Sequence, residues 1–147
     1  MRVEMNTLTA SLFLDLYASV DWELPCKEQV EAALQNTLIT FTAYEDNQAV
    51  GMVRLLGDGG MSFYVKDFAV IPNRQRQGIG SALMSAIREY IISRIQPGWA
   101  VSLELISTKE AVSFYKRQGF EERPCDWDGP GMFKMIQNIG DAKHAGD

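Results

Sequence analysis

The fold of this chain is decided by residues 67–84, which read DFAVIPNRQRQGIGSALM. Residues 62–71 run into this stretch and are dense in β-branched and aromatic side chains, which favour a strand. Pro72 has no amide hydrogen and ends that strand. From residue 80 onward apolar side chains recur at helical spacing. The stretch therefore predicts a strand, a basic turn with two glycines, and the start of an amphipathic helix.

The predicted turn delivers unpaired backbone amides to the start of that helix. The first amides of a helix have no internal partners, and the helix dipole makes this end positive. Gly78 and Gly80 let an anion approach the backbone closely, and Arg74 and Arg76 add positive charge. The spacing favours a phosphate or pyrophosphate site over an ordinary tight turn. A dinucleotide site fits poorly, because Leu83 stands where its third glycine or alanine would be.

The stretch resembles the signature of the GCN5-related N-acetyltransferases, in particular small bacterial and plastid-type members that act on amines. The family's Gln/Arg-x-x-Gly-x-Gly/Ala motif is matched by Gln75–Gly80, QRQGIG, and a second family segment by Ala111–Phe120, AVSFYKRQGF. The resemblance covers residues 38–137. It implies direct transfer of an acetyl group from acetyl-CoA to a primary amine of a small molecule or peptide. A non-catalytic acyl-CoA sensor or interaction module is the alternative.

The resemblance also implies cofactor contacts. Backbone groups at Phe68, Ala69 and Val70, on the strand before the loop, are expected to bind the pantetheine arm and the acetyl oxygen. Thr108 stands where many members carry an Asn that contacts the same arm. The amides expected to hold the pyrophosphate belong to Gln75, Arg76, Gln77, Gly78, Ile79, Gly80 and Ser81.

Two catalytic roles complete the expectation. Tyr115 matches the family's tyrosine, and a phenol is protonated at neutral pH, so it can protonate the thiolate leaving group. The attacking ammonium must first lose a proton. Asp67 is the first candidate for that base, followed by Glu104 and Tyr64, and a chain of water molecules could also do the task. No metal is expected.

The fold expectation is an α+β (α/β GNAT-like) architecture with a mixed, mostly antiparallel sheet of six to seven strands. One central pair of strands is parallel, and helices cover both faces. Residues 1–139 form a single domain, followed by a flexible tail at 140–147. The predicted strands are 1–5, 38–44, 49–56, 62–71, 100–106, 120–123 and 132–137, and the predicted helices are 7–19, 28–34, 81–95 and 109–118.

The bulk composition limits the classes of partner, the cellular location and the cysteine chemistry that we expect. A net charge of −5 argues against nucleic acid and is compatible with a cationic amine. No apolar run approaches the roughly 18 residues of a membrane span, and no signal peptide is visible, so a cytoplasmic location is expected. Cys26 and Cys125 show no metal or redox spacing and are expected to be free thiols. Edge strands and the C-terminal segment could support a homodimer.

Overall fold

The structure is a computed structural model that describes residues 1–140. The predicted tail at 140–147 therefore lies outside the described residues except for Gly140. The elements in chain order are β1 (Arg2–Met5), α1 (Ala10–Ser19), α2 (Lys27–Gln35), β2 (Ile39–Glu45), β3 (Gln48–Gly57), β4 (Ser62–Val70), α3 (Ile79–Arg94), β5 (Ser102–Glu104) and α4 (Val112–Arg117), with single 3₁₀ turns at Pro72–Arg74 and Lys109–Ala111.

One mixed sheet organises these elements in the order β1-β2-β3-β4-β5. The first four strands are antiparallel to their neighbours. β2, β3 and β4 follow one another through short connections, whereas the chain passes from β1 to β2 through α1 and α2. β5 follows β4 through the helix α3, and it pairs with β4 in parallel. The predicted parallel pair is therefore confirmed, but it lies at one edge of the sheet described here and not at its centre.

Helices cover both faces of the sheet, as predicted. α3 buries Leu83 and Ile87 against the larger core, together with Phe41 and Leu55 of the sheet. α1 and α2 cover the opposite face, where a smaller core forms around Phe13. α1 begins where the Thr9 hydroxyl accepts a hydrogen bond from the Leu12 amide and so caps the helix. The helices hold the sheet from both sides and leave its β5 edge uncovered.

The expected six to seven strands are wrong for the residues described, which form five. The segments 120–123 and 132–137 form no strand, and β5 is shorter than predicted. A strand needs a partner edge as well as a suitable sequence. Residues 120–123 are instead held by local contacts: the Phe120 amide donates to the Tyr115 carbonyl at 3.1 Å, and Arg123 forms two ion pairs.

Two further findings concern the membrane spans and the cysteines considered in the sequence analysis. Within residues 1–140 no helix has both the length and the apolar character needed to cross a bilayer. Cys26 and Cys125 are free thiols, as predicted.

Candidate active site

The pairing between the two parallel strands stops early, and the space beside the unpaired half of β4 is here called the gap. β4 and β5 are paired only from Ser62 opposite Ser102 to Tyr64 opposite Glu104. β5 ends there, whereas β4 continues to Val70. The backbone edge of the second half of β4 is therefore free of a strand partner on this side.

A bulge in β4 sets which residues face the gap. Between the pairs Met52–Ala69 and Arg54–Lys66, β3 has one residue and β4 has two, Asp67 and Phe68. Asp67 adopts a left-handed φ of 54°. A bulge of this kind changes the alternation of side chains along the strand. Accordingly Phe63 and Val65 before it, and Phe68 and Val70 after it, all contact the core on the α3 face.

The backbone groups of Phe68 and Val70 face the gap. The Ile71 amide donates to the Val50 carbonyl of β3 at 2.9 Å. Backbone groups alternate along a strand, so Phe68 and Val70 point to the opposite edge. Ala69, also predicted to contact the cofactor, pairs with Met52 and lies on the β3 side.

Unpaired amides lie at the start of α3. The Gln75 amide donates to the Pro72 carbonyl at 3.3 Å and is therefore used within the turn. The amides of residues 76–81 donate to no acceptor among residues 1–140. The first bond into the helix runs from the Ala82 amide to the Gly78 carbonyl, 3.0 Å away. The turn thus offers a continuous run of free N–H donors at the positive end of a 16-residue helix.

Side chains hold this turn in place. The Gln75 amide group donates to the Val70 carbonyl at 2.9 Å, which ties the turn to the end of β4. Arg74 pairs with Glu45 of β2 at 2.8 Å, so its charge is partly neutralised. Arg76 is exposed, has a left-handed φ of 62°, and pairs with no acid of the described chain. Gly78 has a φ of 86°, where a side chain would be strained. Of the two predicted basic groups, Arg76 is the one available to a ligand.

The second sequence motif packs directly on the first. A Cβ atom built on Gly80 would lie 3.0 Å from Cζ of Phe114, so the helix can approach this ring only because residue 80 is glycine. The Gln118 side chain donates to the Ser81 hydroxyl at 3.1 Å. The two segments that the sequence singled out are therefore neighbours beside the gap.

Tyr115 lies in an aromatic cluster at this point. Its ring centre is 6.0 Å from that of Phe68, 5.2 Å from Phe114 and 5.8 Å from Phe120. The residue is 8% exposed, and burial raises the pKa of its phenol to about 12. The hydroxyl has no hydrogen-bond partner among residues 1–140, yet it is not one of the fully enclosed oxygens without a partner. The phenol is therefore protonated at neutral pH and its oxygen is not fully enclosed.

Asp67 is held by an ion pair on the other face of the sheet. Nε of Arg54 lies 2.6 Å from Oδ2 of Asp67, with side-chain exposures of 13% and 11%. Arg54 also donates to the Thr37 hydroxyl at 3.0 Å. The second oxygen of Asp67, Oδ1, has no partner among the described residues. The carboxylate is thus fixed in position with one oxygen free.

An aromatic wall from α1 stands beside this carboxylate. Burial raises the pKa of Tyr17, and the negative charge of Asp67 raises it further. Tyr17 stacks on Phe13 at 5.1 Å and meets the edge of Trp22 at 4.9 Å. Sequence reasoning missed Arg54 and Tyr17 as site residues. For Arg54, the available signal was its position as the only charged residue within the apolar sequence of β3.

The other base candidates lie nearer the paired end of the strands. Tyr64 and Glu104 are opposite each other in register. Burial raises the pKa of Tyr64, with the negative charge of Glu104 as the second cause. Glu104 is itself bonded to Arg123 at 3.1 Å. Thr108 is exposed at the start of the Lys109–Ala111 turn, with no hydrogen bond from its hydroxyl among the described residues.

Potential metal ligands do not cluster in the described part of the chain. Residues 1–140 contain no group of three or more His, Cys, Asp or Glu side chains arranged to hold an ion. The donors assembled around the gap are peptide amides, a phenol and one arginine. They suit an anionic ligand with an extended arm rather than a cation.

Fold and site together define an α/β domain that presents a helix N-terminus for an anion next to the gap beside β4, where its pairing with the parallel strand β5 has ended. The family model of the acetyltransferase (GNAT) domain matches residues 36–122, more than half of the chain. The chain therefore belongs to the GNAT family of acetyltransferases, whose members generally use acetyl-CoA.

Relatives and solved structures agree with this assignment. The chain is 29% identical over 140 residues to the Arabidopsis thaliana protein named GCN5-related N-acetyltransferase 1, chloroplastic, covering 91% of this chain and 69% of that one. It is 28% identical over 120 residues to the uncharacterized N-acetyltransferase ycf52 of Pyropia yezoensis, and this match covers 78% of the chain but only 65% of that relative's length.

Two solved structures share the fold over nearly their whole length. A probable acetyltransferase of unknown function from meticillin-resistant Staphylococcus aureus has a TM-score of 0.81 and 30% identity, covering 92% of this chain and 98% of that one. A GNAT family acetyltransferase from Streptococcus pneumoniae has a TM-score of 0.75 and 32% identity, covering 93% and 98%.

Proposed function

We propose that this protein is an N-acetyltransferase that moves an acetyl group from acetyl-CoA directly to a primary amine of a small molecule or peptide. The observation that supports it most is the run of free amides at residues 76–81 beside the gap that Tyr115 borders. The proposed cellular location is the cytoplasm, although one relative is named chloroplastic.

The free amides and Arg76 would bind the diphosphate of the donor. Anions are stabilised at helix N-termini by the unpaired N–H groups and by the helix dipole. From this anchor the pantetheine arm would run along the free edge of β4, where the backbone groups of Phe68 and the amide of Val70 face outward; the Val70 carbonyl already accepts from Gln75. Such an arm would place the thioester next to the bulge at Asp67.

The reaction would form a C–N bond and break the C–S bond. The amine nitrogen attacks the acetyl carbon, and a backbone amide of β4 donates to the oxygen that becomes negative. The thiolate leaves and takes the proton of the Tyr115 hydroxyl, and the proton that the nitrogen loses as the amide forms restores the phenol, directly or through water. A buried phenol with a raised pKa holds this proton at all physiological pH values, so the donor is present whenever the sulfur departs.

Asp67 would act on the acceptor. Its free Oδ1 would accept a proton from the ammonium group, directly or through water, before the attack. Arg54 already neutralises this carboxylate, so its remaining part in binding is the free oxygen, which can accept a hydrogen bond from the acceptor amine. The wall of Tyr17 and Trp22 offers an aromatic surface to a cation beside it. These contacts favour a cationic amine carried on a small apolar or aromatic body.

The decisive experiment compares Tyr115→Phe with the unchanged protein in an assay that follows release of the CoA thiol over a panel of amines. Loss of general acid catalysis should lower kcat about 10²-fold. The affinity for acetyl-CoA should stay within about twofold, because the ring is retained. Absence of any amine-dependent thiol release by the unchanged protein, together with normal acetyl-CoA binding, would favour the acyl-CoA sensor.

A thermal shift measurement tests the donor itself. A ligand at 100 times its Kd adds about 2.7 kcal/mol to the free energy of unfolding. Acetyl-CoA should raise the melting temperature, and NAD should not. Stabilisation by NAD alone would contradict the proposed donor.

A further inference from the structure

Lys66 lies in β4 directly before the bulge, on the face of the sheet that carries α1 and α2. Phe63 and Val65 contact the core on the α3 face, so the alternation along the strand turns Lys66 to the opposite face. In register Lys66 stands opposite Arg54, whose side chain holds Asp67. Lysine is depleted in strands, and the exposed Lys66 lies beside the acceptor end of the site. Its position therefore indicates a role in the site rather than in the strand.

The charge of Lys66 has no counter-ion among residues 1–140. Asp67, the next residue, is already paired with Arg54 at 2.6 Å. Glu104, which lies diagonally across on β5, is bonded to Arg123 at 3.1 Å. No acid of the described chain forms an ion pair with Lys66. This end of the site therefore presents a free cation beside a carboxylate that is already neutralised.

The bulge turns the side chains of two consecutive residues, Lys66 and Asp67, to one face. Val53 contacts the core on the α3 face, so Arg54 points away from that core, and the ion pair brings Asp67 to the same side. The Cα atoms of consecutive residues are about 3.8 Å apart. A ligand as small as an amino acid can therefore contact the carboxylate of Asp67 and the ammonium of Lys66 together.

We propose that the acceptor is an α-amino acid and that Lys66 is the residue that selects it by binding its carboxylate. This inference rests on the proposed function and narrows its acceptor. The amino group of the acceptor donates to the free Oδ1 of Asp67, and the carboxylate accepts from the ammonium of Lys66. The side chain of the amino acid lies against the aromatic wall of Tyr17 and Trp22.

The reaction keeps the form given above. The amino nitrogen bonds to the acetyl carbon, and the C–S bond breaks. The ammonium form of the acceptor loses two protons, of which one ends on the sulfur and one goes to solvent through Asp67. The products are therefore an N-acetyl amino acid, the free thiol of CoA and one proton.

Other acceptors use Lys66 less well. A diamine would bring a second cation towards a lysine that has no acid to offset the repulsion, and a simple amine would leave the lysine without a partner. A nearby cation also lowers the pKa of an ammonium group. A role for Lys66 in deprotonation alone is therefore the alternative that the experiment has to separate.

The release of the CoA thiol is measured with matched sets of acceptors that differ only at the carboxylate. One set is phenylalanine, phenylalaninamide and phenethylamine, and the other is leucine, leucinamide and isopentylamine. Each kcat/KM value is taken at the plateau of its pH profile, because the carboxylate also changes the pKa of the amine. Hydrogen bonds between charged groups are worth about tenfold or more in binding. The unchanged protein should therefore prefer the amino acid to the other two members at least about tenfold.

Lys66→Gln should raise KM for the amino acids about tenfold and leave their kcat within about twofold. The amides and amines should be unaffected, and Lys66→Glu should make the amines the better acceptors. Arg88→Gln is the matched control, because it removes one positive charge from an exposed residue of α3 on the opposite face of the sheet. This control should keep the preference for amino acids.

The outcomes separate this inference from the proposed function. Acetylation of the amines but not of the amino acids would overturn the inference and leave the proposed function standing. An equal loss for all three members of a set in Lys66→Gln, with a shifted pH profile, would assign Lys66 to deprotonation and also overturn it. No thiol release with any acceptor would overturn both.

Discussion

The ion pair between Arg54 and Asp67 should be worth several kcal/mol to the fold. Its Nε–Oδ2 distance is 2.6 Å, and both side chains are about nine-tenths buried. Opposite charges about 4 Å apart at an effective dielectric constant of 20 attract by about 4 kcal/mol. Removing one partner of a buried pair costs about 3–5 kcal/mol, because the other charge is left without compensation.

We therefore expect Asp67→Asn or Arg54→Gln alone to lower the free energy of unfolding by about 3 kcal/mol, the lower end of that range, since some exposure remains. For a chain of 147 residues this corresponds to a fall of roughly 10 °C in melting temperature. The double variant buries two neutral amides in place of two charges. It should lose about 2 kcal/mol less than the sum of the single variants.

Urea unfolding of the four proteins gives this coupling energy. The matched control is the cycle of Arg74→Gln and Glu45→Gln, whose pair is 37% and 27% exposed and should couple by under about 1 kcal/mol. Additive losses within about 0.5 kcal/mol at Arg54 and Asp67 would refute the reasoning.

Acetylation rates for the same variants separate the roles of Asp67. If its carboxylate accepts the proton of the amine, Asp67→Asn and the double variant lose kcat together, whereas Arg54→Gln, which keeps the carboxylate, loses less. Undiminished kcat in Asp67→Asn would remove this residue from the proposed chemistry and leave its structural role intact.

Three further predictions concern pH and packing. Burial raises the pKa of Tyr115 from 10.0 to about 12, so between these pH values the folded state keeps a proton that the unfolded state loses. About 2–3 kcal/mol of the free energy of unfolding should therefore be lost as the pH rises from 10 to about 12. A Tyr115→Phe variant whose unfolding shows the same alkaline dependence would contradict this prediction. Hydrogen bonds from the amide of Met61 and from the two amides flanking it lower the pKa of Asp58 from 3.8 to about 2. This contribution is complete above pH 3.8 and disappears as the pH falls to about 2, so Asp58→Asn should melt earlier than the unchanged protein at pH 6 and no earlier at pH 2. Gly80→Val should displace the Phe114 ring and weaken acetyl-CoA binding at least tenfold, as measured by calorimetry. Gly60→Ala is the control and should bind normally, because nothing lies within 4 Å of the new atom. Equal acetyl-CoA affinities of the two variants would show that the ring moves without cost.

Much of the fold could be predicted because its signals are local. Alternating residues in β2 to β4, helical spacing in α3, and the Thr9 cap of α1 depend on neighbours a few positions away. The turn at 72–78 and the start of α3 are likewise encoded by a proline and by the two glycines at 78 and 80. The pattern predicts the unpaired amides of residues 76–81 correctly. It also predicts an unpaired amide at Gln75, which is wrong because the folded turn pairs that amide with the Pro72 carbonyl.

The sequence pattern alone could not decide whether residues 120–123 and 132–137 form strands. Both have suitable residues, but a strand exists only against a partner edge, and neither segment is paired with β5. The bulge at Asp67 is a similar case. It depends on the register between β3 and β4, and one added residue there reverses which side chains face α3.

By itself, the sequence of this protein determined the order of most helices and strands, the family, and the free amides at the start of α3, because each of these depends on short stretches of chain. Only the tertiary structure decided that Arg54 neutralises Asp67, that Tyr115 joins Phe68 at the gap, and that the apolar side chains of residues 132–136 are exposed. Those outcomes depend on which distant segments come into contact, and that is set by strand register and packing rather than by any local spacing.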